Sequence, residues 1–475
     1  VLDGRYLVTS LPLTSLPVPF TLAAGTETSV IRLTVDQVLS PYVYVFMAAF
    51  IVAFLFTPIM RAVASYHGIV DKPDGARKLH REPVAYLGGV AVFLGWLTGL
   101  TLTRFLVMHR WPGAEGPNLA PHIPFSVAAA GIVIVLLGLI DDTKGVKPLM
   151  KIGGQIFAAL LLIFQGIGTN SLRPMLSTLD ERIQVWAGIV PIQPHLVYVP
   201  EWVVLGASVA FVIALVVFCC NATNLMDGMD GLCGGVTAII ALGYVFLAVH
   251  VAQGGTGNTN TDAVRIVIAL ALLGGVMGFV PYNFNPASIF MGDTGSMFLG
   301  FTIATSMLML GEAASKWLLA SLVMFALPTL DTALAFVRRY IAGRPFFSAD
   351  KHHIHHQFLA RGLSVKQTVL FLYGSAIFFV LLGASVALMR TRYSVCMYLV
   401  VFGCIIVAAY KMGMVHEKVK TADKPNPIGP DDKIVQGPTN EGVLQLPDQP
   451  SVSLSSEQAT GVGKTPLAAG TAAVR

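Results

Sequence analysis

The chain has 475 residues, 55% hydrophobic and only 12% charged, with a formal net charge of +5 and a mean hydropathy of +0.70. A soluble chain carries about a quarter charged residues, so this composition excludes an ordinary water-soluble domain and indicates lipid as the solvent. Basic residues are spread over short loops, which excludes a nucleic-acid partner. The five cysteines have neither metal-ligand nor disulfide-framework spacing and read as small buried hydrophobes.

Residues 1–40 are mixed in character, with prolines at 12, 17 and 19. They read as an amino-terminal extension outside the membrane, without the basic start and compact apolar run of a signal peptide. Eleven apolar windows follow, at 41–60, 84–105, 124–140, 152–168, 202–220, 231–251, 266–283, 296–311, 315–337, 367–389 and 393–411. Each is about the 17–25 residues needed to cross a bilayer core. The expected fold is therefore an all-α integral membrane protein of about 11 transmembrane helices, its membrane domain spanning 41–411.

The first polar motif, Asp141-Asp142, ends the third window. Adjacent carboxylates repel, which suits a divalent-ion site or a proton acceptor; a solvated helix end is the plain alternative. Lys151 follows the turn signal Gly145…Pro148. It would hold positive charge near the membrane surface, where phosphates sit, or simply snorkel. Residues 169–201 read as a hairpin or interfacial segment.

After the fifth window, Asn221 through Gly231 reads NATNLMDGMDG. Asn221, Asn224 and Asp227 recur at helical spacing and would share one face. Asp230 joins them if the helix continues past Gly228. Hard oxygen donors of this kind suit Mg²⁺, and polar groups at membrane depth are costly without a purpose; a polar helix-end turn is the alternative. Residues 253–264 form a plain polar loop. Before the eighth window, Gly292-Asp293-Thr294-Gly295-Ser296 sets a carboxylate between glycines that admit close backbone approach. Ser296 is expected to cap that helix.

The ninth window leads into Arg338, Arg339, Arg344 and Lys351, then His352-His353-Ile354-His355-His356. Imidazoles can bind zinc, but so cationic a neighbourhood favours phosphate or diphosphate. The segment reads as an anion and nucleotide contact loop, with Phe346 and Phe347 as stacking partners. Residues 412–475 hold seven prolines and no Phe, Trp or Tyr, and read as a disordered cytoplasmic tail.

Positive charge sets direction. The loops after the first, third and ninth windows are rich in Lys and Arg, whereas alternate loops are sparse. Odd-numbered spans then end in the cytoplasm, with the amino terminus outside, and all four motifs open onto that one face.

Together these residues resemble the polyprenyl-phosphate N-acetylhexosamine-1-phosphate transferase superfamily, which includes WecA/TagO enzymes, MraY translocases and the eukaryotic dolichyl-phosphate enzyme. The resemblance rests on five motifs in family order: Asp71 to Gly89, Asp141-Asp142, Asn221 to Leu232, Phe284-Asn285-Pro286 through Ser296, and Arg338 to Leu359. His353-Ile354-His355-His356 after Asp350-Lys351 is similar to the WecA/TagO branch. The Lys-Lys-Gly-Thr-Pro-Thr first-loop signature of MraY enzymes is absent. Ala85-Tyr86 before Leu87-Gly88-Gly89 departs from the expected more basic or smaller pairing.

The resemblance implies transfer of GlcNAc-1-phosphate from UDP-GlcNAc to undecaprenyl phosphate, at the inner membrane of a bacterium, as the first membrane step of a cell-envelope glycan. It implies Mg²⁺, with Mn²⁺ as the alternative ion, and is compatible with an oligomer. Asp293 would be the principal metal ligand, with Asn224 beside it. Asp141 and Asp142 would orient or deprotonate the lipid phosphate or assist the metal, and the sequence leaves these roles open. Lys151 would hold diphosphate oxygens, and Asn221 would line the substrate site. Asp227 and Asp230 would shape the nucleotide site. Arg344, His353, His355 and His356 would contact diphosphate and sugar. The competing readings are an MraY-type transferase acting on UDP-MurNAc-pentapeptide and, from another class, a membrane transporter.

Overall fold

A computed structural model describes residues 34–71, 83–108, 121–176, 200–254, 259–341, 343 and 353–411. A backbone in hydrocarbon must satisfy its own amide groups, and a helix does so within one segment. The apolar windows accordingly fold as helices. In chain order these are α1 (Val35–Leu39), α2 (Val43–Tyr66), α3 (Gly88–Met108), α4 (Phe125–Lys144), α5 (Pro148–Phe164), α6 (Glu201–Met226), α7 (Leu232–Gln253) and α8 (Thr259–Asn283). There follow α9 (Gly292–Ala313), α10 (Ser315–Met324), α11 (Ala326–Ile341), α12 (Ile354–Ala360), α13 (Val365–Ala384) and α14 (Thr391–Lys411).

Among the described residues, eight spans are long and apolar enough to cross a membrane, with α1 and α2 forming one of them. The pair α10–α11, bent by 70°, makes a ninth, while α3 and α5 are apolar but shorter. Each of the eleven predicted windows falls on one of these elements. The protein is a multi-pass helical membrane protein; among the described residues eight or nine spans qualify by helix length and composition, against eleven predicted windows.

The core is α9. Every residue of its apolar window is buried, because α3, α4, α6 and α10 all pack against it. A helix enclosed on all sides has no polar face, so its hydroxyls must be satisfied locally. Thr302, Thr305 and Ser306 each donate to the carbonyl four residues back, at 2.9–3.0 Å. Phe298 packs edge-on against Trp96 of α3, with ring centres 5.1 Å apart. At the periphery α14 leaves most of its surface uncovered.

Several expectations are corrected. The first helix begins at Val35, inside the stretch read as extension, and Thr34 caps it by accepting from Gln37 N at 3.3 Å. A short antiparallel pair, β1 (Val70–Asp71) with β2 (Val84–Ala85), qualifies the all-α description. Only three cysteines are buried; Cys396 and Cys404 on α14 are exposed, because that helix has few neighbours. Residues 1–33, most of the 169–201 stretch, Arg344, Phe346, Phe347, Lys351 and His352, and the tail beyond Lys411 lie outside the described residues.

Candidate active site

The ends of α4, α6 and α9 and the start of α5 meet at one point. α4 closes with Asp141 and Asp142, and Gly145 turns the chain with φ +70°. Pro148 then opens α5, where a proline costs no hydrogen bond. One turn later Lys151 comes back over α4. Its Nζ pairs with Asp141 Oδ2 and lies 2.6 Å from Asp293 Oδ2. Asp141 Oδ1 accepts from Val146 N at 2.7 Å. The other oxygen of Asp293 accepts from Asn224 Nδ2 at 2.8 Å, and the same amide reaches Ser296 Oγ at 3.0 Å. One lysine thus bridges two carboxylates from separate helices.

Asp142 does something different. Its Oδ1 accepts from Asp293 N at 2.8 Å, and its Oδ2 accepts from Thr294 N at 3.0 Å and Thr294 Oγ1 at 2.6 Å. The first amides of a helix have no partner of their own and carry its positive dipole end. Asp142 therefore caps α9 from a neighbouring helix. Gly138 allows the approach: a Cβ there would lie 2.4 Å from Thr294 Cα. The expected cap, Ser296, instead donates to Gly292 O at 3.0 Å.

The Asn/Asp segment divides. α6 ends at Met226, Asp227 is its C-cap, and the left-handed Gly231 opens α7. The helix does not continue past Gly228, so Asp230 leaves the shared face and reaches the site by a turn. There its Oδ2 accepts from Asn285 Nδ2 at 2.9 Å and Ala287 N at 3.0 Å. Asn221 sits deeper in α6 and donates to Gln155 Oε1 on α5 at 2.8 Å. It ties two helices together and is not among the cleft residues.

A cleft of ≈ 730 Å³ opens beside this cluster, within the size range of small-ligand sites. Asp227, Asp230, Asp293, Phe290, Tyr86 and His356 border it. Asp227, half-buried, is pushed up to about 8 by desolvation and then by the negative charges of Asp293, Asp142 and Asp230. Burial and the adjacent Asp71 raise the Tyr86 phenol well above its ordinary range.

The histidines also separate. His356 borders the cleft, whereas His353 and His355 are buried. His353 Nδ1 lies 3.0 Å from Asp331 Oδ2. Burial, then the charge of His356, pulls His355 down to about 3, so it is neutral and contributes no positive charge. The expectation of three anion-contacting imidazoles becomes one at the cleft and two behind it.

Among the described residues, no three His, Cys, Asp or Glu side chains converge into a ready metal cage. Mg²⁺ needs less: one or two carboxylates, retained waters and substrate phosphates. Asp293, with 31% of its side chain exposed against 8% for Asp141, fits such an ion; Asn224, which turns its Nδ2 to Asp293, would join it only through its Oδ1.

Sequence reasoning gave no role to Asn283, Gln155 or Asp331, and Asn285 entered only as part of a motif. Asn283 accepts from Gly231 N and donates to Ile289 O, both at 3.0 Å. The available signal was the same as for the motifs: amides and carboxylates inside apolar helices.

Comparison with known proteins gives the family. The family described as glycosyl transferase family 4 matches residues 124–311, from α4 through α9. A Bacillus subtilis protein named "Probable undecaprenyl-phosphate N-acetylglucosaminyl 1-phosphate transferase" is 27% identical over 393 residues, covering 82% of this chain and 97% of that protein. A decaprenyl-phosphate N-acetylglucosaminephosphotransferase of Mycobacterium tuberculosis is 33% identical over 341 residues, covering 69% and 78%. A phospho-N-acetylmuramoyl-pentapeptide-transferase of Moorella thermoacetica is 30% identical over 327 residues, covering 66% and 88%. The chain belongs to glycosyl transferase family 4, as a WecA-like polyprenyl-phosphate sugar-phosphate transferase.

Proposed function

We propose that the protein transfers GlcNAc-1-phosphate from UDP-GlcNAc to undecaprenyl phosphate, releasing UMP, at the cytoplasmic face of a bacterial plasma membrane. The observation that carries this reading is the Lys151–Asp141–Asp293–Asn224 cluster at the converging helix ends, beside a cleft of nucleotide size. The names of the Bacillus and Mycobacterium relatives support the sugar and the lipid class. The basic loops beside the same helix ends support the cytoplasmic side.

In the reaction a phosphate oxygen of the lipid attacks the phosphorus that carries the sugar. The P–O bond to UMP breaks, and UMP leaves with the bonding electrons. Both reactants are anions, so alignment and charge neutralisation dominate catalysis. Lys151 holds diphosphate oxygens over the cluster. In this reading Asp141, with one oxygen on Lys151, orients the lipid phosphate or accepts its proton. Asp142 fixes the α9 terminus and with it the backbone of Asp293. Asp227, Asp230 and His356 shape the nucleotide side. Mg²⁺, held by Asp293 and Asn224, would neutralise phosphate charge.

Donor labelled at the β-phosphate and, separately, in uracil tests the reading. Phosphate label in the lipid extract with uracil label left in water supports it. A lipid product carrying sugar without that phosphate would refute it. The Moorella relative favours the MraY-type reaction as second reading; the departures in the first loop and the histidine segment weigh against it.

A further inference from the structure

Asp331 has no part in the reaction above, yet an ionisable group within a membrane helix is costly unless it serves a purpose. It sits in α11, just past the 70° break from α10, among Met226, Leu232, Leu327 and Leu372 around a void of only ≈ 10 Å³. Both of its oxygens are used on one segment. Oδ1 accepts from Ile354 N at 2.8 Å, and Oδ2 faces His353 Nδ1 at 3.0 Å. A carboxylate only accepts, so Nδ1 of His353 carries the proton and the ring is fixed in one tautomer and orientation.

The contacts then run towards the cleft. The His353 ring stacks on His355, with centres 5.7 Å apart and planes within 4°. His355 Nε2 is buried without a hydrogen-bond partner and lies against Gly228, where an added Cβ would sit 2.5 Å from it. Gly228 follows Asp227, and His356, whose ring centre is 4.3 Å from that of His355, borders the cleft with Asp227.

We infer that Asp331 is a positioning residue: it docks the His353–Ala360 segment onto the Asp227–Gly231 turn and so sets the wall of the cleft at His356. The docking stands on these contacts alone; only the identity of the affected substrate, the nucleotide sugar, rests on the proposed function.

The test is Asp331→Asn. The amide keeps an acceptor for Ile354 N but turns a donor towards a donor at His353. The expected result is a KM for UDP-GlcNAc raised about tenfold, the lower end of the scale seen when an outer carboxylate that orients a site histidine is lost. The KM for the polyprenyl phosphate and the unfolding temperature stay unchanged. Asp331→Glu, which restores a carboxylate, recovers part of the loss. Hydrogen exchange at Ile354–Gln357 becomes faster in Asp331→Asn. Unchanged exchange overturns the docking, and faster exchange with an unchanged donor KM overturns its link to the cleft. A parallel rise in both KM values with a fall in unfolding temperature also overturns it, as the mark of general damage. If the wild type turns over no UDP-sugar, the donor assignment fails, while the exchange comparison still decides the docking.

Discussion

Among the described residues Lys151 is the cation set between Asp141 and Asp293, and Lys151→Met would leave two carboxylates facing each other. Its turnover is expected to fall at least about a hundredfold, the scale of losing one preorganised charge contact in a water-poor site; near-normal turnover would remove its role. Asp293→Asn should abolish turnover and leave the unfolding temperature unchanged. Asp227 gives a prediction with a sign. Its carboxyl moves from an ordinary 3.8 to about 8 on folding, chiefly through desolvation. Between those values the folded form holds a proton that the unfolded form lacks, so stability falls as pH rises from about 4 to 8 and levels off above. Asp227→Asn removes this slope, so its advantage in thermal stability over wild type, measured in a chelator, grows from pH 5 to pH 8. A difference independent of pH would contradict the assignment. At this scale the sequence marked residues that the structure brings together, but not their partners. Asp142 and Asp293 lie 151 positions apart, and nothing in either motif distinguishes a cap from a base.

Elements carry the site because α9 is held from all sides while its amino terminus stays open to the cleft. Asp142→Ala deletes a helix cap, which should lower stability by about 1–2 kcal/mol and reduce turnover together, because Asp293 N loses its acceptor. Gly138→Val would drive a side chain into Thr294 Cα, 2.4 Å from the added Cβ. Separation of α4 from α9 should lower both the unfolding temperature and activity; unchanged values would show that the two helices need not approach so closely. Element positions were largely legible, since each apolar window became a helix. The helical spacing of Asn221, Asn224 and Asp227 was real up to Met226. It failed at Asp230 because Gly228 and Gly231 end one helix and begin the next. The bend between α10 and α11 went unread although Pro328 lies just past it, and so did the partnership of Asp331 with a segment beyond the basic loop.

For the whole molecule, composition alone announced a membrane protein, and the family match from α4 through α9 covers the helices that form the cluster. Sidedness follows from loop charge and is testable. A cysteine replacing Lys147, in a background lacking Cys396 and Cys404, should react with an impermeant maleimide in inverted vesicles and not in right-side-out ones. The reverse pattern would put the site on the outer face. The central claim is the transferase reaction itself, and release of UMP tests it most directly. The purified protein is incubated with Mg²⁺, undecaprenyl phosphate and either UDP-GlcNAc or UDP-MurNAc-pentapeptide. UMP from UDP-GlcNAc alone is the predicted result. UMP only from the peptide-bearing donor, or from neither, would contradict it.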